Sequence, residues 1–511
     1  MRPSDSIGHT DVSPRETPGS IGPRGDMPPE EFREWGGATV EWIARYLEEV
    51  GELPVMSRVA PGDIRAALPT HPPESGEAFS DILDDFERVI VPGITHWNHP
   101  SFHGYFAVTG SGPGILGEML AAALNVNGMV WRSSPAATEL EEHVLDWVRQ
   151  LLGLPEGFVG AIQDTASTSS LVALAAARHR AYPEAREKGL FALSRGCIYA
   201  SEEAHSSIEK AGIVLGLGRD AVRKIEVDSE FRMRPEVLRR AVLSDRAQGI
   251  RPVAVVATVG TTSTASADPV SEIADVADEL GLWLHVDAAY AGAAAMVPEL
   301  RPAFRGWERA ASIVMNPHKW LFTPVDCSVL LTRFPDEMKG SVALTPEYLR
   351  TRETGVATNL MDYGVALGRR FRALKLWFVL RYFGADGIRE RIRYHVALAQ
   401  GLSERMRAEA GWQVMAPVLF STVAFRFAPA GVAPEDQDAL NLELLESVNA
   451  SGTAFLSHTR LRGRVALRLS IGNLRTREHH IERTWAFLND FAAAERGVAG
   501  PPSSRRPAPP R

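Results

Sequence analysis

The sequence is short of cysteine and of long apolar runs, and each shortage excludes a class of protein. Its 511 residues include only Cys197 and Cys327, each inside an apolar stretch, so buried free thiols in a reducing compartment are expected rather than a disulfide framework. No stretch approaches the roughly 18 apolar residues of a membrane span. The segment from Met1 to Met27 lacks the apolar core of a signal peptide. A cytoplasmic protein that does not bind membranes is therefore expected.

An excess of positive charge is also missing. The net charge of −8 gives no electrostatic reason to expect a nucleic acid or an anionic membrane as a partner. What is present is the composition of a soluble globular protein, with 45% hydrophobic and 23% charged residues. A chain of 511 residues exceeds one ordinary hydrophobic core and is expected to divide into about two or three domains.

Composition and periodicity divide the chain into five segments. Proline, glycine, serine and charge without periodicity predict a disordered leader at residues 1–26 and a disordered tail at residues 497–511. The patterns between them predict an N-terminal helical segment at residues 27–111, a large domain at residues 112–374 and a small α+β domain at residues 375–496.

Aromatic residues at helical spacing mark the start of the folded chain. The stripe from Phe32 to Val50 predicts an amphipathic helix, which packs either on its own domain or on a partner subunit. Further helices are expected over residues 78–96, from Pro113 to Leu124, and from Pro135 to about Leu152 with Ser134 as cap.

Short apolar runs alternate with helical patterns in the large domain. This alternation predicts an α/β fold with a mostly parallel sheet, whose ligands bind at the carboxyl ends of the strands. The expected strands are Phe158–Ile162, Gly196–Ala200, Pro252–Thr258, Leu282–Val286, Ser312–Met315 and Cys327–Leu331, and the expected helices include Ser169–Ala181, Pro235–Ala247 and Val270–Leu280.

The C-terminal part has its own pattern. A long helix is expected after Leu374, and Ile481–Ala494 is expected to form a closing helix. Val423–Phe427 and Val465–Leu469 are the expected strands of the small domain.

Lys319 and Asp287 each follow an expected strand. Pro317 stops the run before Lys319, and a lysine among apolar neighbours is either a snorkelling surface residue or an amine held in a pocket. Asp287 either caps a helix from Ala288 onward or serves as a carboxylate that holds a protonated heteroaromatic nitrogen. The two are 319 − 287 = 32 residues apart, about one βαβ step, so they could lie on neighbouring strands and face one pocket.

A cluster of hydroxyl residues from Thr165 to Ser170 opens an alanine-rich helix. Free amides and hydroxyls at a helix N-terminus bind anions, although simple capping is the alternative. A bound phosphate would have to share this end with Asp164, unless Asp164 turns away as the cap.

Three more polar side chains follow strands, namely His205, Thr258 and His318. Taken singly, each has a structural interpretation as a packed histidine or a turn threonine. His285 lies deeper on the strand of Asp287 and is left outside the site. An anion-binding helix end, a carboxylate and a lysine at one sheet edge match the phosphate, ring nitrogen and aldehyde of pyridoxal phosphate.

These residues and their surroundings resemble a known family, the group II pyridoxal-phosphate-dependent decarboxylases, and most closely the aromatic-L-amino-acid decarboxylases. The resemblance covers about residues 28–495 and implies a transferase-like fold of the aspartate aminotransferase type, fold type I. The matching strings are His96-Trp97, Tyr105-Phe106, Ser134 to Glu141, Ile162-Gln163, Thr165 to Ser167, Ala204 to Ala211, Ala257 to Thr262, His285 to Gly292, Asn316 to Trp320 and Leu367 to Arg372.

The resemblance implies a role for each candidate. Lys319 would form the Schiff base with pyridoxal 5'-phosphate, and Asp287 would keep the pyridine nitrogen protonated. His205 would stack on one face of the ring, and Ala289 would lie under the other. The other implied cofactor-binding residues are Ala166, Ser167, Thr258, Asn316 and His318, and no metal is implied.

The resemblance also implies a proton donor on a closing loop. Tyr348 matches the family tyrosine that protonates the carbon after carbon dioxide has left, within an aperiodic stretch that reaches about Asn359. Relatives that make an aldehyde typically carry phenylalanine there, so tyrosine favours simple decarboxylation. A merely structural loop tyrosine is the alternative.

The implied substrate is an aromatic L-amino acid, and the implied assembly is a homodimer clasped by the N-terminal segment. Tyr105 and Phe106 would line the substrate site, and the neighbouring subunit would add Asn127 and Met129. Gly368 leaves space for an indole, so tryptophan ranks slightly ahead of tyrosine, dihydroxyphenylalanine and phenylalanine. The alternatives are aldehyde synthesis, decarboxylation of histidine or glutamate, and an inactive cofactor-binding scaffold. The arginine that a glutamate pocket needs is not evident from the sequence.

Overall fold

The structure is a computed structural model that describes residues 25–106, 108–191, 193–349, 352–353 and 355–498. Most of the predicted leader and tail therefore lies outside the described residues. The chain divides into two compact units: the described residues up to Val50 together with Val59–Gly93, and Gly51–Arg58 together with the described residues from Ile94 onward. The domain boundaries inferred from sequence patterns stay predictions.

The first unit is helical and is held by aromatic contacts. Its helices are α1 (Pro29–Glu49), α2 (Asp63–Ala67) and α3 (Phe79–Asp85). Trp35 of α1 lies 5.4 Å from the ring of Phe79 at the start of α3. The aromatic stripe of α1 therefore packs on its own unit, although Phe32 remains 66% exposed.

The second unit begins with an irregular segment and two helices, α4 (Gly112–Leu124) and α5 (Pro135–Leu152). The hydroxyl oxygen of Ser134 accepts a hydrogen bond from the Ala137 amide at 3.2 Å, which makes Ser134 the N-cap of α5 as the sequence predicts. No described helix combines the length and the apolar character that crossing a membrane requires.

A seven-stranded sheet forms the centre of the second unit, in the order β1-β7-β6-β5-β4-β2-β3. Strands β3, β2, β4, β5 and β6 are parallel, whereas β7 runs antiparallel to both β6 and β1. The strands are β1 (Val159–Gln163), β2 (Gly196–Ser201), β3 (Val222–Ile225), β4 (Arg251–Thr258), β5 (Trp283–Asp287), β6 (Ser312–Met315) and β7 (Ser328–Thr332). The predicted α/β class with a mostly parallel sheet is confirmed.

All six strands predicted for this sheet are present, and only β3 was missed. It is an edge strand whose middle residues, Arg223 and Lys224, are exposed, so it lacks the apolar run that marked the others. The short hydrophobic pattern of a strand is strongest where both faces are buried.

Helices cover both faces of this sheet. The alanine-rich α6 crosses the centre of the sheet, and its small side chains at Ala173, Ala176 and Ala177 are buried. The helices that alternate with or follow the strands of this sheet are α6 (Ala166–Ala181), α7 (Ala185–Lys188), α8 (Ser207–Val214), α9 (Pro235–Ala247), α10 (Val270–Glu279), α11 (Pro317–Trp320) and α12 (Pro335–Val342).

A smaller antiparallel sheet follows the long helix α13 (Arg372–Ala408), which bends at Gly384 where φ is 63°. Its strand order is β10-β11-β9-β8. The strands are β8 (Trp412–Val414), β9 (Thr422–Phe427), β10 (Ser457–Leu461) and β11 (Arg464–Ser470), with helices α14 (Pro434–Ser451) and α15 (Glu478–Val498). The predicted strands correspond to β9 and β11, whereas the edge strands β8 and β10 were missed.

A buried ion pair joins two of the matching sequence strings. Arg369 Nη2 donates to Glu141 Oε1 at 2.6 Å, and the same oxygen accepts from the Ile162 amide at 2.7 Å. Burial raises the pKa of Glu141, against the opposing effect of Arg369. The pair ties α5 to β1 and to the segment before α13, so these strings have a structural role.

Candidate active site

A pocket of about 360 Å³ opens where β4, β5 and β6 end and α6 begins. The carboxyl ends of parallel strands meet at one sheet edge, which brings together residues that are far apart in sequence. The predicted site residues that line it are Tyr105, Phe106, Ala166, Ser167, His205, Thr258, Asp287, Ala289, Asn316, His318 and Lys319.

Lys319 lies in α11, which directly follows β6, and β6 pairs with β5 as the sequence spacing suggested. Its Nζ is 5.1 Å from the centre of the Phe106 ring. Burial is the largest effect on the amine and lowers its pKa; Arg468 acts in the same direction and Asp287 opposes it. A larger neutral fraction makes the amine a better nucleophile at neutral pH.

Asp287 ends β5 and is 5% exposed. Its Oδ1 accepts a hydrogen bond from the Ala289 amide at 3.0 Å, so it caps a turn rather than the predicted helix; the next helical segment, a 3-10 helix, begins only at Ala291. The carboxylate also faces the pocket, where it raises the pKa of both Lys319 and His205. The turn contact is therefore present, and the pairing of Asp287 with a heteroaromatic nitrogen stays a prediction.

His205 is held by Ser207, which sequence reasoning did not assign to the site. The Ser207 amide donates to His205 Nδ1 at 3.1 Å, and Ser207 Oγ lies 2.9 Å from the same nitrogen. The neutral ring therefore carries its hydrogen on Nε2. Burial is the main cause that lowers the pKa of His205, with Lys319 and Lys210 adding to it and Asp287 opposing.

The start of α6 forms the anion-binding end of the pocket. Thr165 is the N-cap, with Oγ1 accepting from the Thr168 amide at 3.5 Å. Asp164 is not the cap; its Oδ1 accepts from the Thr165 amide at 2.5 Å. Ala166 and Ser167 are the first residues of the helix, whose N-terminal amides have no partners within the helix.

Asn316 and His318 form a pair beside this helix end. The Cys327 amide donates to His318 Nδ1 at 2.8 Å, so the neutral ring carries its hydrogen on Nε2. The side-chain amide of Asn316 lies 3.2 Å from that Nε2 and must present its oxygen to it. The amide's NH2 group then faces away from the ring as a donor.

Three buried polar atoms of pocket-lining side chains have no partner among the described residues: Thr258 Oγ1, the second polar atom of the Asn316 side chain, and Nη2 of Arg468. Buried polar groups are almost always hydrogen-bonded, so such atoms indicate a ligand with polar groups of its own. A helix N-terminus for a phosphate, a carboxylate for a ring nitrogen and an amine for an aldehyde fit pyridoxal phosphate.

The aromatic wall of the pocket is larger than the sequence indicated. Phe106 stacks on Tyr290 with the ring centres 3.9 Å apart, and Trp97 stacks on Tyr105 at 5.7 Å. Trp97 and Tyr290 line the pocket, and both lie within matching strings without an assigned role. The wall favours a ligand that carries an aromatic ring.

Arg468 of β11 also lines the pocket, where sequence reasoning placed no arginine. It is 4% exposed, and its guanidinium carbon lies 5.2 Å from the centre of the Phe106 ring. Its Nη2 is buried and has no hydrogen-bond partner within the described part of the chain. Burial lowers the pKa of Arg468 to about 10, so it keeps its charge at neutral pH. A buried cation with a free donor is suited to an anionic ligand.

Three predicted substrate residues lie outside this pocket. Asn127 Oδ1 accepts from the Arg369 amide at 2.9 Å, and a side chain at Gly368 would start 3.7 Å from Asn127 Nδ2. The Met129 carbonyl accepts from the Met361 amide at 3.0 Å. Because the resemblance assigned Asn127 and Met129 to the neighbouring subunit's site, their role stays a prediction.

Tyr348 lies in a 3-10 turn, Glu347–Leu349, but its side chain is outside the described part of the structure. Its predicted role as proton donor is therefore untested. The two cysteines, Cys197 and Cys327, are free and buried, as the sequence predicts.

Buried neutral histidines make the fold sensitive to acid. Burial lowers the pKa to about 4 for His285, His318 and His395, and to about 3 for His103. The folded state therefore stays unprotonated at these sites while the unfolded chain takes up protons below its ordinary pKa of 6.5. The free energy that these neutral histidines contribute to the stability of the folded state is complete above pH 6.5. It is lost progressively as the pH falls towards about 4.

We expect the free energy of unfolding to fall by roughly 1 kcal/mol per histidine for each pH unit below 6.5. Asp268 opposes this trend, because burial raises its pKa to about 7 and protonation relieves the cost of its charge. Urea unfolding followed by circular dichroism at pH 7.5, 6.5 and 5.5 would measure the balance. An unchanged or higher midpoint at pH 5.5 would contradict the expectation.

The sheet order, the lysine after β6 and the carboxylate at the end of β5 define a pyridoxal-phosphate-dependent enzyme. The sequence matches the pyridoxal-dependent decarboxylase conserved domain over residues 61–428. The chain belongs to the pyridoxal-dependent decarboxylase family, and its cofactor is pyridoxal phosphate.

Characterised relatives extend over nearly the whole chain. Phenylacetaldehyde synthase of Arabidopsis thaliana is 39% identical over 477 residues, which cover 91% of this chain and 97% of the relative. Tyrosine decarboxylase 4 of Petroselinum crispum is 40% identical over 486 residues, covering 92% and 95%. The crystal structure of Oryza sativa TDC with PLP and tryptamine superposes with a TM-score of 0.90 at 36% identity, covering 93% of this chain and 100% of that chain.

Proposed function

We propose that this protein decarboxylates an aromatic L-amino acid to the corresponding amine and carbon dioxide. The observation that carries the proposal is a single pocket that combines Lys319 and Asp287 with an aromatic wall and the buried cation Arg468. The relatives named as a tyrosine decarboxylase and as a phenylacetaldehyde synthase, and the structural neighbour with tryptamine, support an aromatic substrate.

Different residues of the pocket would contact different parts of the cofactor. Lys319 would bind its aldehyde carbon, and Asp287 would pair with its ring nitrogen. His205 and Ala289 would contact the two faces of the ring. The phosphate would lie at the start of α6 against Ala166, Ser167 and the Asn316 amide, with Thr258 and His318 close by. When bound, the cofactor supplies an acceptor for the electron pair that departing carbon dioxide leaves behind.

The charged side chains of the pocket then favour the loss of carbon dioxide. Asp287 stabilises a proton on the ring nitrogen, because a buried carboxylate attracts positive charge. His205 is neutral and carries its hydrogen on Nε2. It can therefore donate a hydrogen bond that orients a ligand without adding a further positive charge to the pocket. Burial lowers the pKa of Lys319, so its amine releases a proton more readily than an ordinary lysine does.

Arg468 is suited to bind the carboxylate of the substrate. Its free Nη2 and its burial give a strong charge-assisted hydrogen bond to an anion, and no such anion remains once the amine has formed. Glutamate could use the same cation. The rings of Trp97, Tyr105, Phe106 and Tyr290 nevertheless favour an aromatic side chain.

Among aromatic substrates we rank tryptophan slightly ahead of tyrosine, dihydroxyphenylalanine and phenylalanine. Gly368 would line the substrate site, where it has no side chain to restrict an indole. Asn127 lies beside Gly368 and would give that edge some polarity. The structural neighbour with bound tryptamine supports the same order.

We infer that the active form is a homodimer. Helix α4 is apolar around most of its surface, and Leu116, Leu120 and Leu124 are 52%, 49% and 59% exposed. Exposed apolar patches of this kind mark subunit interfaces. Sedimentation equilibrium should give twice the chain mass, and Leu120→Glu should shift the protein towards the monomer. A wild-type monomer at micromolar concentration would contradict the inference.

The buried free thiols of Cys197 and Cys327 suit a reducing compartment, so we place the protein in the cytoplasm. Their burial raises the pKa of Cys197 to about 11 and of Cys327 to about 12, which leaves both as unreactive thiols.

A substrate panel tests the proposed reaction. Purified protein with added cofactor is incubated with tryptophan, tyrosine, dihydroxyphenylalanine, phenylalanine, histidine and glutamate, and amine, aldehyde and carbon dioxide are measured. We expect an aromatic amine and carbon dioxide in equal amounts. The proposal fails if histidine or glutamate alone is converted, or if no amino acid is.

Aldehyde synthesis is the second candidate, because the phenylacetaldehyde synthase of Arabidopsis thaliana is 39% identical to this chain. Tyr348 decides between the two if it is the proton donor. We expect Tyr348→Phe to lower amine formation by about 10²-fold or more, since general acids contribute about that much. In air-saturated buffer, where dioxygen is the two-electron oxidant, the aldehyde fraction should increase, with ammonia and hydrogen peroxide as the other products. Equal amine production by wild type and variant would remove Tyr348 from the mechanism.

A further inference from the structure

Tyr105, which lines the pocket, has an unusual backbone conformation. Its φ is 53°, in the left-handed region that residues with a side chain rarely adopt. A residue persists in such a conformation where its surroundings hold it there, which often occurs at binding sites. The contacts that hold Tyr105 therefore determine where its ring lies.

Both backbone polar groups of Tyr105 are bound by the small sheet. Its amide donates to Ser457 Oγ at 3.2 Å, and its carbonyl accepts from Arg468 Nη1 at 3.3 Å. Arg468 Nη1 also donates to Ser457 Oγ at 3.1 Å. One hydroxyl oxygen thus joins the backbone of the aromatic wall to the cation of the pocket.

The register of the β10–β11 hairpin fixes this arrangement. Ser457 in β10 is directly opposite Arg468 in β11. Thr459, two residues further along the same face of β10, lies 2.8 Å from the hydroxyl of Ser263. Arg468 Nε donates to the Ser263 carbonyl at 2.9 Å. The hairpin therefore also holds the loop after β4.

That loop belongs to the pocket as well. Gly260 and Thr262 line the cavity, and Ser263 directly follows them. The hairpin thus holds two walls, the Tyr105 segment and the loop after β4. Ser457 itself does not line the pocket, so its hydroxyl is available for a role that acts through other residues.

We propose that Ser457 is a positioning residue that sets the affinity of the site for ligands carrying both an aromatic ring and a carboxylate. It acts through Tyr105, which stacks beside the ring site, and through Arg468, which faces the carboxylate. The inference rests on the proposed function for the identity of the substrate. The structural basis of the inference is the set of contacts that Ser457 makes, which does not depend on the identity of the substrate.

The test compares Ser457→Ala with Ser457→Thr in the full-length holoenzyme. Removing the hydroxyl leaves two donors without their shared acceptor, so the KM for the best aromatic amino acid should rise about tenfold. The kcat should stay within about threefold, because Ser457 touches no reacting atom. Threonine keeps the hydroxyl and should restore the KM.

A matched control and a binding measurement separate positioning from general damage. Ser451 accepts from the Thr453 amide at 3.0 Å and lies at the end of α14, so Ser451→Ala removes a similar contact away from the pocket. It should leave the KM unchanged. Calorimetric titration of the holoenzyme with 3-phenylpropanoate should show binding weakened about tenfold by Ser457→Ala but not by Ser451→Ala.

Several outcomes would overturn the proposal. They are an unchanged KM and Kd in Ser457→Ala, the same rise in Ser457→Thr, or a loss of kcat with the KM unchanged. If wild type converts no aromatic amino acid yet binds 3-phenylpropanoate in a Ser457-dependent way, the proposed function fails and the inference stands. Conversion without any dependence on Ser457 refutes the inference alone.

Discussion

Lys319→Ala should reduce kcat by about 10⁴-fold or more, because it removes the nucleophile that binds the cofactor. The amine is the proposed attachment point; it lies 5.1 Å from the centre of the Phe106 ring, in the pocket that Asp287 also lines. In wild type, reduction with borohydride should fix the cofactor to the peptide that contains Lys319, as mass spectrometry would show. The variant should yield no such adduct.

Lys339→Ala is the matched control. Lys339 lies on α12, outside the pocket, and its Nζ is also 5.1 Å from the centre of an aromatic ring, that of Tyr363. Its removal should leave both activity and the borohydride adduct intact. An adduct on a lysine other than Lys319 would refute the proposed attachment site, even if the activity survived.

Asp287→Asn should lower kcat by about 10³-fold while the protein remains folded, since a preorganised charge is worth about that much in a water-excluded site. Asparagine keeps an oxygen for the Ala289 amide, so the turn at the end of β5 is preserved. What is lost is the negative charge that, in the proposed mechanism, stabilises a proton on the ring nitrogen. The loss should appear mainly in kcat, measured with saturating cofactor.

Two further variants show whether charge is the cause. Asp287→Glu keeps the charge and should recover part of the activity. Asp245→Asn removes a different buried carboxylate, one that pairs with Arg223 at 2.7 Å far from the pocket, and should affect stability rather than kcat. Equal kcat losses in Asp287→Asn and Asp245→Asn would refute a specific role for Asp287.

The fold was predictable where burial leaves a strong pattern. The inner strands β4, β5 and β6 are apolar runs because helices cover both their faces. The edge strand β3 and the outer strand β10 have exposed polar residues, so their patterns resemble those of loops. Prediction therefore failed at the edge strands β3, β8 and β10, whereas the edge strand β1 was predicted because its last three residues are buried.

The candidate site was predictable to a similar extent. Lys319, Asp287 and Thr258 end or follow buried strands, and parallel strands bring such ends together regardless of the intervening chain. Arg468 gave no comparable signal. It lies in the small sheet, and only the packing of that sheet against the pocket places it near Lys319.

The sequence by itself determined the fold class, the family and most of the residues that line the pocket, because strand periodicity and dense local motifs are encoded over short distances. The tertiary structure alone decided the aromatic wall, the position of Arg468 and the hydrogen bond between the Tyr105 amide and Ser457. These depend on contacts such as Tyr105 to Ser457, whose partners are 352 residues apart in sequence. Local patterns carry no information about pairs of this kind, since each partner has an ordinary local environment of its own.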